Sequence, residues 1–339
     1  MTPSNIATDT VLPMPANGIF NCTTINVASG KTLRFSANAL NTPVYLLATG
    51  NVTISGTIDI VGANGTATAS AGAGGPGGFA GGLAGFAGQA GQDGSGPGGG
   101  RIETGTNGTS LCRAAFSRTT DNNTAIYGNS ALIPLIGGSG GAGSRGNPGN
   151  YGGGGGGAVL IASNTSITIS GAIDAHGGNG SYTNNSAYYA GDGSGGSIRL
   201  ISPSVGGAGS LNANGGTYIG GSPGRVRIDC PDSYIFRNLI VLGTFTSGQF
   251  MQVFPSTLPA LSFIEAAGQA IVEGSVASVQ IDLPAGSSPA RTVKLRARNF
   301  TGVVPIRVRA SPETGNSTDY DTQLHRAADS LRRLDAVRA

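Results

Sequence analysis

Residues 52–65 read VTISGTIDIVGANG, and residues 167–180 read ITISGAIDAHGGNG. The offset is 115, and nine of the fourteen positions are identical. An apolar run precedes each copy, VYLLATG at 44–50 and AVLIASN at 158–164. SIRLISPSVGGAGSLNANGG at 197–216 follows the same plan more loosely, and GRVRIDC at 224–230 supplies a fourth fragment. Val52, Ile54, Ile58 and Ile60 alternate with Thr53, Ser55, Thr57 and Asp59. Alternation of β-branched and polar residues marks strands with one buried face. Glycines at fixed points mark corners. A repeat of about 20–25 residues with two or three short strands is one coil of a parallel β-solenoid, or β-helix. Stacked coils would set Ile58 over Ile173 over Leu211 in the core.

The composition agrees with this plan. Of 339 residues, 60 are Gly and 17 are Pro, and only 11% are charged. Each interior Gly costs a helix about 1 kcal/mol relative to Ala, which disfavours long helices. A hydrophobic content of 38% with so little charge also disfavours a solvated coil. Residues 63–157 read as a Gly-rich insertion between the first two copies. Within it, Gly recurs at 72, 75, 78 and 81, slips by one, then recurs at 82, 85, 88, 91 and 94. Gly at every third position suits polyproline-II-like chains packed side by side. A flexible linker is the competing reading, and Phe79, Leu83 and Phe86 favour order. Residues 101–136 read as a small cap, and a second glycine wall at 137–157 contains six consecutive glycines.

The expected fold is therefore all-β: an N-terminal extension at 1–17, then a parallel β-solenoid at 18–254 with Gly-rich insertions. Residues 234–254 look like two strands leaving the solenoid. A small immunoglobulin-like β-sandwich should occupy 255–321, where short strands recur with little Gly. A short helical tail is expected at 322–339, because Leu324, Ala328, Leu331, Leu334 and Val337 fall on one helical stripe.

The net charge is +3, with six basic residues in 1–198 and fourteen in 199–339. So mild a balance makes no case for nucleic-acid binding. No run of 18 apolar residues suggests a transmembrane segment, and no signal peptide is visible. Cys22, Cys112 and Cys230 are widely spaced, and His176 and His325 are the only histidines. Three buried free thiols are preferred over one disulfide plus a free thiol. No metal site and no cofactor are expected, since a zinc site needs four close ligands.

Candidate chemistry falls in three places. Asp59 and Asp174 share a repeat position that Asn212 fills in the third copy. Stacked coils would bring the two carboxylates about 5 Å apart, with His176 on the same side. That arrangement suits a polysaccharide hydrolase, in which one carboxylic acid protonates the leaving oxygen; a solvated polar ladder is the plainer account. Tyr182, Tyr188 and Tyr189 cluster in one loop and offer flat faces with polar tips to a sugar, or else anchor the loop. Arg291, Lys294, Arg296, Arg298, Arg307 and Arg309 place six basic residues and no acid in 291–309. If their strands pair, they form a stripe able to grip an anionic glycan, or simply an outer face that discourages edge aggregation. Asp93 and Asp192 lie in QDGSGPGGG and GDGSGG, but one carboxylate per loop is too few for calcium. The Gly-x-Gly strings lack the strand–loop–helix setting of a phosphate cradle.

The units ITISGAIDAHGGNG and GSGGSIRLISPSVGGAGSLNANGG, closed by RVRIDC and followed by RTVKLRARNFTGVVPIRVRASPETG, resemble Gly-rich secreted bacterial β-helix proteins. More distantly they resemble the shafts of adhesins and autotransporter passengers. The resemblance implies a secreted or cell-surface structural or adhesive protein without catalytic activity, whose partner is a polysaccharide or a bacterial or host surface glycan. Two alternatives stand beside it: a glycoside hydrolase using Asp59 and Asp174, and a binder of a repetitive surface such as ice or chitin.

Overall fold

The computed structural model describes residues 2–66, 70–86, 89–102, 113–118, 126–144, 149–182, 189–231, 236–254, 260–273, 279–284, 286, 290–300, 304–310, 318–324 and 329–338. All regular elements among them are β-strands. Two units separate, one of Met1–Val253 with Thr314–Asn316 and one of Phe254–Glu313 with Ser317–Ala339.

In the larger unit every strand pairing is parallel. The chain adds strands pass by pass. Thr2–Ile6 and Thr10–Pro13 come first, then Ile19–Val27 and Thr32–Ser36, then Val44–Ala48, Val52–Ile54 and Thr57–Asp59. After the glycine-rich segments come Ala158–Ser163, Ile167–Ile169 and Ala172–Asp174, then Ser197–Ile201, Val205–Gly206 and Ser210–Asn212. Arg225–Asp229, Ile240–Leu242 and Thr244–Gly248 complete the set. The result is a 10-stranded sheet and a facing 6-stranded sheet. Residues 2–13, expected as an extension, pair with Ile19–Val27 and Thr32–Ser36 instead. Residues 240–248, expected to leave the stack, continue both sheets.

The repeat sets the register. Ile58 lies beside Ile173, and Ile173 beside Leu211. Leu33 and Val241 extend that ladder at its two ends. Val52 and Ile54 pair with Ile167 and Ile169 in the other sheet. These aliphatic side chains share one core with Val159, Ile161, Ile198, Leu200, Val226 and Ile228. Ala158–Ser163 and Ser197–Ile201 are buried on both faces, which is why the first reads as a continuous apolar run and not as an alternating strand. A second cluster on their outer side joins Leu160 and Ile201 to Leu132 and Leu135, with Val253 against it.

Charge is buried in the same outer layer. Asp229 Oδ2 accepts from Arg199 Nε at 3.2 Å and Nη2 at 3.0 Å. Its Oδ1 accepts from Arg227 Nη2 at 2.7 Å and from the Phe250 N–H at 3.0 Å. Arg199 Nη2 also donates to the carbonyls of Phe250 and Gln252. The network thereby pins residues 250–252 to the sheet. Burial draws the Arg199 pKa below its usual value, against the opposing pull of Asp229.

The glycine-rich segments are ordered by their own backbones. The N–H groups of Gly152 and Gly155 donate to Gly82 and Phe79, those of Gly153 and Gly156 to Gly191 and Ser194, and those of Gly154 and Gly157 to Ala63 and Ile60. Residues three apart therefore turn to the same neighbour, the three-residue period of a polyproline II helix. Their carbonyls accept in the same rotation, from Gly72 and Gly75, from Gly141 and Gly138, and from Gly178 and Ser197. All twelve bonds span 2.7–3.0 Å. Segments 60–63, 72–75, 79–82, 138–141, 175–178 and 191–197 thus surround the six-glycine run. A Cβ on Gly152, Gly153, Gly154, Gly155 or Gly156 would run into the carbonyl oxygen of Gly141, Gly178, Ala73, Gly138 or Ala175 respectively. None of these glycines has a positive φ, so the requirement is space and not an unusual conformation.

The smaller unit is antiparallel. Ala290–Arg298 lies between Ala260–Ala266 and Asp329–Arg338, and Val304–Ala310 pairs with Thr318–Leu324 in a separate sheet. Val293, Leu295 and Ala297 of one sheet share a core with Ile306 and Val308 of the other. The strands at 290–298 and 304–310 therefore face each other across a core and do not pair. The expected helical tail is corrected too: Asp329–Arg338 is a strand along the edge of Ala290–Arg298, with an irregularity opposite Arg291 and Val293. An open strand edge offers a full row of backbone partners, and that outweighs a helical spacing of apolar residues. The Leu324–Val337 side chains lie outside the described ones.

Two outcomes follow from the packing. Gly155→Ala should lower unfolding stability by about 3 kcal/mol or more through overpacking, whereas Gly30→Ala, with open space around it and only a left-handed φ to strain, should cost about 1–2 kcal/mol; denaturant titration compares them. Asp229→Ala should cost about 3–5 kcal/mol by stranding the buried Arg199 guanidinium and unpairing the partly buried Arg227, and limited proteolysis should then cut near residues 249–253.

Candidate functional site

The expected carboxylate pair stands side by side. Asp59 is in register with Asp174, Arg34 lies beyond Asp59, and Asn212 lies beyond Asp174. The repeat position has a local cause. Asp59, Asp174 and Asn212 each accept, through Oδ1, the N–H two residues on: Val61 at 3.3 Å, His176 at 3.2 Å and Asn214 at 3.1 Å. This Asx turn closes the corner where each short strand ends, and either Asp or Asn serves it. Along the row, Arg34 Nε donates to Asp59 Oδ2 at 2.8 Å, and Asn212 Nδ2 donates to Asp174 Oδ1 at 3.1 Å. His176 Nδ1 lies 2.7 Å from the same Asp174 oxygen. That hydrogen bond raises the His176 pKa above its ordinary 6.5, with burial opposing and the charges of Asp174 and Asp59 assisting. Arg34 was missed in the sequence, although TLR at 32–34 matches TID at 57–59 in register.

The tyrosines converge in part. Tyr182 and Tyr189 stack with ring centroids 4.8 Å apart and planes at 7°. Tyr188 lies outside the described residues. Tyr218, which sequence reasoning passed over, joins them at 5.7 Å from Tyr182 and 6.3 Å from Tyr189. In the register that sets Asp174 beside Asn212, Tyr218 matches Gly180 and not Tyr182, so the repeat gave no signal for it. Tyr189 hydrogen-bonds the Tyr182 hydroxyl and pushes its pKa up. Asp192, three residues after Tyr189, is fully buried. It accepts the N–H groups of Gly180 at 2.7 Å, Ile219 at 2.7 Å and Gly220 at 2.8 Å. Asp93 accepts the N–H of Ile102 at 2.9 Å.

The basic stripe is compensated. Lys294 Nζ pairs with Glu265 at 2.6 Å, while Arg296 and Arg298 share Glu273 at 2.8 and 2.9 Å. The stretch 291–309 holds no acid, but the strand beside it and residue 273 supply two. Arg291 lies on the same strand as Lys294. Arg307 and Arg309 stand in backbone register with Asp321 and Asp319, and their side chains are outside the described ones. Lys294, Arg296 and Arg298 of the stripe therefore already have carboxylate partners.

Cys22 and Cys230 are buried free thiols, and Cys112 lies outside the described residues. Among the described residues, no three His, Cys, Asp or Glu side chains converge as metal ligands, and no helix is long and apolar enough to cross a membrane.

The His176 contact has a definite sign with pH. A raised folded pKa gives stability that is complete below the unfolded value and is lost as pH rises through the folded one. Between about pH 6 and about pH 8, the wild type should lose a few tenths of a kcal/mol relative to His176→Gln, a partly exposed pair being worth little. Melting temperatures across that range provide the check.

Compared with known proteins, the chain matches no family model, no curated protein and no solved structure.

Proposed function

We propose that this protein is a secreted or surface-displayed structural and adhesive module without catalytic turnover. Its shaft is a parallel β-solenoid flanked by a polyproline-II-like glycine lattice, and an immunoglobulin-like β-sandwich follows. The observation that carries this reading is the six-glycine run, whose donors and acceptors are all paired within a shell of six neighbouring segments. A body held by its main chain tolerates changes in salt, pH and redox state better than one held by exposed ion pairs. Such a body suits a spacer that presents binding groups outside the cell. The Asx row fits the same account, because Asp59 and Asp174 spend hydrogen bonds on their own corners and on the residues in register beyond them, Arg34 and Asn212.

A second reading has one specific observation behind it, the 2.7 Å contact between His176 and Asp174. With Asp59 in register alongside, these groups could serve a polysaccharide hydrolase by general acid–base chemistry. One experiment separates the two. Purified protein is incubated for a day with insoluble plant, fungal and bacterial polysaccharides, and both pelleted protein and released reducing ends are measured. Pelleting without sugar release, unchanged in Asp174→Asn, is the expected result. Sugar release that Asp174→Asn abolishes would make the protein an enzyme and overturn the main reading.

A further inference from the structure

We propose that Tyr182, Tyr189 and Tyr218 form a docking platform for a neutral, β-linked hexopyranose chain with equatorial hydroxyls. The proposal rests on the adhesive reading above and names its ligand class.

Three rings gather here from two different passes of the chain. Tyr182 and Tyr189 flank residues 183–188, and Tyr218 follows the next strand, Ser210–Asn212. Tyr218 is 49% exposed, and Tyr182 and Tyr189 are half-buried. Aromatic groups left at the surface with a neighbouring ring on one side offer a flat apolar area tipped by hydroxyls.

A single buried carboxylate holds the platform in shape. Asp192 binds the N–H of Gly180, two residues before Tyr182, and those of Ile219 and Gly220, directly after Tyr218. It also sits three residues after Tyr189. One group thus ties together all three tyrosine-bearing segments, with no exposed charge at the surface to show for it. Rings fixed before the ligand arrives do not lose that freedom on binding.

The rim supplies polar contacts at the spacing of the strands. Asn64 Oδ1 accepts the N–H of Asn179 at 2.8 Å, and Asn179 Oδ1 accepts the N–H of Thr217 at 2.7 Å. Each amide plane is therefore set through its oxygen, which leaves the Nδ2 donor to a ligand. Thr217 adjoins Tyr218 in the chain, and Asn179 lies three residues before Tyr182. The two asparagines occupy the same repeat position, 115 residues apart.

The ligand chemistry follows from these groups. A pyranose whose hydroxyls are all equatorial turns its axial C–H bonds to its two faces. Those faces pack on tyrosine rings, and the hydroxyls at the ring edge accept from amides and bond with phenols. Asp192 is buried, and the neighbouring Arg113, whose Nη1 donates to the Ile219 carbonyl at 3.2 Å, is already engaged; the platform itself is built of phenols and amides, which match an uncharged chain better than a uronic acid.

The test uses the full chain, with cellopentaose and chitopentaose as soluble probes in calorimetric titration and polygalacturonate as the charged comparison. Tyr218→Ala should weaken binding of the neutral probes about tenfold, the order expected for one lost stacking contact. Tyr218→Phe should bind within about twofold of wild type, since it keeps the ring. Both variants should melt with the wild type, because Tyr218 is half-exposed. If Tyr218→Ala binds as tightly as wild type, the platform is wrong while the adhesive reading survives. If the wild type prefers polygalacturonate, the neutral class is wrong. If the wild type binds no probe in solution and pellets with no polysaccharide, both this proposal and the adhesive reading fall.

Discussion

Main-chain hydrogen bonding at a separation that admits no side chain is the constraint on which the larger unit depends. Gly152–Gly157 donates and accepts in a rotation of three, and each bond requires a neighbour within 3.0 Å. Glycine has more conformational freedom to lose on folding than any other residue, and it contributes no apolar side chain in return. Two terms offset that loss. Every peptide N–H and C=O of Gly152–Gly157 finds a partner, and backbones in close approach gain dispersion contacts over their whole length. Both require saturation, since a buried orphan N–H or C=O costs more than a made bond contributes. That is why the glycines come in walls rather than singly.

The lattice and the sheets are one construction. Thr57–Asp59, Ala172–Asp174 and Ser210–Asn212 each run straight into a lattice segment, beginning at residues 60, 175 and 213. Other lattice segments end where Ala158–Ser163, Ser197–Ile201 and Arg225–Asp229 begin. One sheet therefore feeds the lattice, and the lattice feeds the other sheet. The Asx turns at Asp59, Asp174 and Asn212 stand at the entry points, and their hydrogen bonds close the last turn of strand before the chain changes geometry. An aliphatic ladder such as Leu33–Ile58–Ile173–Leu211–Val241 gives the sheets their shared register, and the lattice inherits it. At the outer side, the buried Arg199–Asp229 pair does for residues 250–252 what backbone pairing does elsewhere.

What could be read from the sequence was whatever repeats. Nine identities in fourteen positions gave the strand register, and a three-residue glycine period pointed to extended chains side by side. What escaped depended on partners distant in sequence. Arg34 is a lone arginine in TLRFS until Thr57–Asp59 lies beside it. Tyr218 is one more loop tyrosine until Asp192 draws its segment toward Tyr182. Glu273 lies outside the basic stretch it neutralises, in a turn after the short strand Gln269–Ala270. The tail shows the same limit in its backbone. Apolar residues at 331, 334 and 337 have a helical spacing, but the backbone of Asp329–Arg338 pairs along the edge of Ala290–Arg298 instead.

This division bears on where recognition can reside. A lattice that needs glycine at its centre cannot carry functional side chains there, because a Cβ already meets a carbonyl. Side chains able to touch a ligand are pushed to the rims, where a lattice segment emerges and a residue other than glycine becomes allowed. Tyr182, Tyr189, Tyr218, Asn64 and Asn179 all occupy such exits. Their backbones remain tied to the lattice: Gly65 donates to Asn179, and Gly180 and Ile219 donate to Asp192. A rim of this kind inherits the rigidity of the centre without sharing its composition. The glycine content that looks like the absence of chemistry is what holds the few chemically distinctive residues still.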